Sequence, residues 1–168
     1  MKLGSVFPQN ILFVCTSNNC RSPIAEAMFK DMLAKDPVLG KAGIKVSSAG
    51  IKISDLYSTT EETIAVMEER GLSIESHRSR PITAKLLHNV DLILTMEHRQ
   101  RLVILARYPQ LEDKVFLLSE YAGGSGEIYD PVGGTIDAYR AYTQKLETYL
   151  GAILSRLRQG TDKEEALR

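Results

Sequence analysis

The stretch Ile11-Leu12-Phe13-Val14-Cys15-Thr16-Ser17-Asn18-Asn19-Cys20-Arg21-Ser22-Pro23 decides how this chain folds. Ile11 to Val14 is a short apolar run, the pattern of a strand buried on both faces of a parallel sheet. Beyond the polar loop, Ser22 is placed to cap a helix with Pro23 at its first position. Ala25, Met28, Phe29 and Met32 then recur at helical spacing and should face the core. A loop between a strand and a helix start can aim successive backbone N–H groups at one anion, and the helix terminus adds partial positive charge. Thr16, Ser17, Asn18, Asn19, Cys20, Arg21 and Ser22 are therefore candidate phosphate ligands. The Arg21 fork can clamp two phosphate oxygens. Cys15 lies at the floor, where the same field favours thiolate over thiol and makes a nucleophile.

Working outward, strand-like runs alternate with helical ones. Ile44 to Ala49, Leu92 to Thr95 and Val115 to Leu118 read as three further strands. Thr59 with Glu62 can open a helix by a capping box, and Gly71 can close it. Further helices are expected over Glu97 to Arg107 and Ile136 to Arg158, the latter packing Tyr139, Tyr142 and Tyr149 or turning them to solvent. The alternation predicts an α/β three-layer sandwich: a four-stranded parallel sheet with helices on both faces and the phosphate-binding loop after strand 1. Residues 1–168 are expected to form a single domain, with a core of about 10–158 and a charged, frayed tail over 159–168. Ligands of such sheets bind beyond the carboxyl ends of the strands, where the Cys15 loop lies.

Composition narrows the partners. Lys+Arg and Asp+Glu balance at 21 each, so no net field argues for nucleic acid or an anionic membrane. No apolar run is long enough for a signal peptide or a bilayer span, and a soluble cytoplasmic protein, monomeric by default, is expected. The two cysteines are too few for a disulfide framework. Cys20 reads either as a reduced thiol without a role or as a redox partner for Cys15. The three histidines are scattered and there is no second cysteine pair, so neither a metal nor a cofactor is expected.

Cys-x5-Arg-Ser soon after the first strand, the run Asn18 to Glu26, Ser48-Ala49-Gly50, Asp91 to Met96 and Asp130-Pro131 together resemble the low-molecular-weight protein tyrosine phosphatase family. The resemblance covers about residues 10 to 157 and departs at Ser17, where the family usually has Gly. It implies a cysteine-dependent protein phosphatase acting through a phosphocysteine, with catalytic residues Cys15, Arg21 and Asp130 and a phosphorylated protein as partner. Asp130, in a Gly-rich polar loop, would serve first as acid and then as base. Asn18, Ser22, Ser48 and His77 match the residues that tie the cradle together in the family. The resemblance also implies a reversible Cys15–Cys20 disulfide.

The substrate is less defined. Phosphotyrosine in proteins is the leading expectation, with Asn19, Lys52, Tyr57 and Tyr129 as the candidate pocket. Asn19 is polar where tyrosine-directed relatives are usually apolar, although it is not the threonine of the protein arginine phosphatase branch, and the run Asp130-Pro131-Val132-Gly133-Gly134 resembles that branch, which is the alternative. An arsenate reductase would need relay cysteines downstream, and none follows Cys20. A non-catalytic phosphate-binding module is the remaining rival.

Overall fold

The computed structural model describes residues 7–53 and 59–166. Its centre is β1, Asn10–Cys15, in which Ile11 to Val14 are fully buried. β1 pairs in parallel with β2, Lys45–Gly50, on one side and with β3, Leu92–Thr95, on the other. β4, Val115–Leu117, completes the sheet in the order β2-β1-β3-β4. The expected strands all form, each within a residue or so of its predicted limits.

Strand periodicity divides the core into two layers. Ile11, Phe13 and Cys15 point to the side covered by α1, Arg21–Lys35, and α6, Ile136–Ala166. There Phe13 meets Phe29 edge to face, ring centroids 5.8 Å apart, beside Ile24 and Leu146. Truncating Phe13 to Ala would cost about 3–5 kcal/mol. Leu12 and Val14 point to the opposite layer, with Leu87 of α3, Ala84–Asn89, and Ile104 of α4, His98–Arg107. α2, Glu61–Glu68, packs on α6, and α5, Leu118–Tyr121, follows β4 directly.

Several local expectations need correction. The residue capping α1 is Cys20, with no side-chain cap; Ser22 lies inside the first turn, its hydroxyl engaged by the loop. α2 is capped by Thr60, whose Oγ1 accepts from Thr63 N at 3.3 Å, so no Thr59–Glu62 capping box forms. Thr59 is instead buried, and its hydroxyl has no hydrogen-bond partner among the described residues. Gly71 closes the α2 segment in the left-handed region, φ 72°, with Leu72 N donating to Met67 O at 2.9 Å. The last helix, α6, runs to Ala166, past its expected end at Arg158.

Candidate active site

β1 ends at Cys15 and α1 begins at Arg21, so the intervening loop must reverse within five residues. It does so at Asn18, the one described non-glycine residue with positive φ, 57°. Asparagine tolerates that region better than most side chains. Ser17 is therefore spared the conformation that would demand glycine; its hydroxyl donates to Asn19 Oδ1 at 2.8 Å. The loop is seated against the end of β2: Ile51 N and Lys52 N donate to Cys15 O and Thr16 O at 3.1 and 3.0 Å. Gly50 allows this approach, because a Cβ there would stand 2.7 Å from Thr16 O.

The Cys15 sulfur is buried at the floor, 3.0 Å from Ser22 Oγ and 3.2 Å from the Asn18 N–H that points at it. Asn18 organises the loop from inside. Its Nδ2 donates to Ser22 Oγ at 2.8 Å and Ser48 Oγ at 2.9 Å, and its Oδ1 accepts from Arg80 N at 3.0 Å. Its carbonyl accepts from Ser79 Oγ at 2.8 Å and His77 Nε2 at 2.7 Å. Asn18, Ser22, Ser48 and His77 are thus brought together as one network, whereas His88 and His98 are exposed.

Arg21 is 3% exposed on its side chain and has partners on both edges of its guanidinium. Nη1 donates to the Glu97 carboxylate and to Ile128 O, the latter at 3.1 Å. Nη2 lies 3.6 Å from Asp130 Oδ2 and 3.5 Å from Thr16 Oγ1. Burial alone would lower the Arg21 pKa; Glu97, Cys15 and Asp130 more than offset it and raise it. The cation is permanent. Glu97 was not singled out from the sequence, where it reads as a helix start. It does cap α4 in a capping box with Gln100, and the same carboxylate holds Arg21. The signal available was an acidic residue directly following the strand-end run Asp91 to Met96.

Asp130 is 38% exposed, on a loop tied to the residue after β3 by Ile128 N donating to Met96 O at 2.9 Å. Its Oδ1 accepts from Val132 N at 3.0 Å, a local Asp-Pro turn that leaves Oδ2 facing Arg21. Tyr129 and Val132 on either side of Asp130 in the chain are 71% and 53% exposed. Asn19 is half-buried and Lys52 exposed at the β2 edge; Tyr57 lies outside the described residues. Cys20 turns away into the core beside Thr63, and burial pushes its thiol up to about 12. Both cysteines are free thiols. Among the described residues no group of His, Cys, Asp or Glu is arranged to hold a metal.

This arrangement can bind a tetrahedral anion, attack it in line with a thiolate, and meet the leaving group with a carboxylic acid. The family described as low molecular weight phosphotyrosine protein phosphatase matches residues 10–163. A protein-arginine-phosphatase of Bacillus subtilis is 36% identical, covering 89% of this chain and 97% of that protein. The low molecular weight protein-tyrosine-phosphatase PtpB of Staphylococcus haemolyticus is 37% identical over 85% of this chain and 96% of its own. The structure of the YwlE arginine phosphatase from Geobacillus stearothermophilus superposes with a TM-score of 0.83 at 32% identity, covering 93% of this chain and 97% of that one.

Proposed function

The chain belongs to the low-molecular-weight phosphotyrosine protein phosphatase family, and we propose that it hydrolyses phosphotyrosine in proteins through a phosphocysteine on Cys15. The observation that carries this reading is that one buried guanidinium, Arg21, interacts electrostatically with both the buried Cys15 thiol and the Asp130 carboxylate. In the first step a Cys15 lone pair forms the S–P bond as the P–O bond to the phenol breaks, and Asp130 gives its proton to the departing oxygen. In the second, the Asp130 carboxylate takes a proton from water, the water oxygen bonds to phosphorus, and the thiolate leaves with the Ser22 hydroxyl donating to it. Arg21 and the loop N–H groups from Thr16 to Ser22 hold the equatorial oxygens through both steps. The exposed Tyr129 ring beside Asp130 offers an apolar wall for the phenyl group of the substrate.

Protein phosphoarginine is the second reading, favoured by the polar Asn19 in the loop and by the similarity to two arginine phosphatases. Action as a monomer in the cytoplasm belongs to the same proposal. Among the described residues no helix is long and apolar enough to cross a membrane. The test is phosphate release from matched phosphotyrosine and phosphoarginine peptides, with Cys15→Ser and Asp130→Ala in parallel. Release from the phosphotyrosine peptide, abolished by Cys15→Ser, is expected. Release confined to phosphoarginine transfers the proposal to the second reading, and release from neither would overturn both.

A further inference from the structure

Beyond the four residues tied into the loop, one carboxylate terminates the network. Ser48 Oγ donates to Glu26 Oε2 at 2.5 Å, on the face of α1 that lies over the β2 end. We propose that Glu26 is a positioning residue for the nucleophile, its carboxylate setting the direction of a hydrogen-bond chain that runs through Ser48, Asn18 and Ser22 to the Cys15 sulfur. The inference rests on the reading of Cys15 as the reacting thiolate.

The direction follows from counting protons. Arg80 N–H can only donate, so the Asn18 atom it meets is Oδ1, and Nδ2 with its two protons faces the serines. One Nδ2 proton goes to Ser22 Oγ and the other to Ser48 Oγ. Ser48, accepting from Asn18, must send its own proton elsewhere, and an ionised carboxylate is acceptor-only. Ser22, likewise accepting from Asn18, has two acceptors for its proton: the Cys15 sulfur at 3.0 Å and Ala49 O at 3.5 Å, the latter at the limit of a hydrogen bond. With Glu26 present every bond has one sense, and the last proton in the chain points at sulfur. Without it, the Ser48 hydroxyl can turn its proton toward Asn18, which competes with the amide and loosens its hold on Ser22.

The charged groups around Glu26 are Lys30, which pairs with it at 2.8 Å, and Asp31 and His77 in the same shallow groove. Arg80 Nε donates to Ser48 O at 2.9 Å. Around Cys15 stand Arg21, Asp130, Cys20 and Tyr142. These surroundings separate the chain from a simple field effect. Through space alone, a negative Glu26 disfavours a nearby thiolate, and removing it would make Cys15 more reactive. The hydrogen-bond chain demands the opposite sign.

Alkylation of Cys15 by iodoacetamide, followed by intact mass across pH, reads this without turnover. Cys20, buried and with its thiol raised, stays silent. Glu26→Ala and Ser48→Ala should each slow alkylation about three- to tenfold at pH 6. Their rates should converge with wild type at alkaline pH, and the double variant should be no slower than either single one. Glu26→Gln, which keeps an acceptor but loses the charge, should be intermediate. A folded Glu26→Ala protein that alkylates as fast as wild type or faster overturns the proposal, as do effects of Glu26→Ala and Ser48→Ala that multiply. If Glu26→Ala does not fold, Glu26→Gln decides by the same sign. Failure of the underlying reading looks different: Cys15→Ser would then still release phosphate.

Discussion

Gly50→Ala should impair the phosphate cradle while leaving the fold in place. Gly50 is the last residue of β2 and pairs with Cys15, and its φ lies outside the left-handed region, so alanine is free to adopt its backbone. The cost is contact. The new methyl group would stand 2.7 Å from Thr16 O and 3.0 Å from Asn18 N and Ser17 C, all backbone atoms. Ordinary contact begins near 3.4 Å, so Thr16 must retreat by about 0.7 Å. β2 cannot give way instead, because Gly50 N donates to Arg80 O at 2.9 Å and Ile82 N donates to Gly50 O at 2.9 Å. A retreat of that size exceeds the ~0.4 Å window within which a donor serves an oxyanion. We expect kcat/KM on an aryl phosphate to fall about 10- to 100-fold, roughly 1.4–2.7 kcal/mol in the barrier. Inorganic phosphate should bind correspondingly more weakly, and urea unfolding should show a loss of about 1–3 kcal/mol. Wild-type turnover and phosphate affinity in a folded Gly50→Ala protein would refute the reasoning.

Glu97→Ala leaves the buried Arg21 guanidinium without its carboxylate and α4 without its cap. It should lower stability by about 2–3 kcal/mol and weaken phosphate binding about tenfold, and calorimetry that finds neither change contradicts the assigned geometry. Cys20 should resist iodoacetamide in the native protein at pH 8, since a thiol raised to about 12 is ionised in roughly one molecule in ten thousand. Rapid native labelling at that position, located by peptide mapping, would refute its burial. Asp36 binds Arg158 by two bonds of 2.9 and 2.8 Å and accepts from Val38 N and Leu39 N. Burial pushes its carboxyl up, but the two N–H groups and Arg158 prevail and hold it below the usual range. A depressed carboxyl adds stability above its unfolded pKa and loses it as pH falls through the folded value. Asp36→Asn should therefore cost about 1–2 kcal/mol at pH 7 and less below about pH 4, and an equal cost at pH 7 and pH 3 by urea unfolding argues against this pairing.

The strand-loop-helix reading of residues 11 to 23 was legible because each signal in it is local. A buried strand shows as an apolar run, an anion loop as small polar residues before a helix start, and the order of strands and helices implies a parallel sheet. The local signals misled where side chains had a better partner than the backbone. Ser22 has the look of a cap, but Asn18 and Cys15 claim its hydroxyl; Thr59 has the look of one too, but the cap of α2 falls to Thr60. Two short helices, α3 and α5, escaped notice because six and four residues carry too little periodicity to register.

By itself, then, the amino-acid sequence determined the α/β order of the elements, the Cys15 loop at the end of the first strand, and the two-face burial of that strand, since these depend on neighbours in the chain. Only the tertiary structure decided that Glu97 grips Arg21 from 76 positions away and that Gly50 yields its side-chain space to the loop. It alone decided, too, that Glu26 closes a chain of hydrogen bonds onto Ser48. These contacts join residues from different elements, and whether a carboxylate finds a guanidinium or a hydroxyl is set by how the crossovers stack helices on the sheet, which no local pattern encodes.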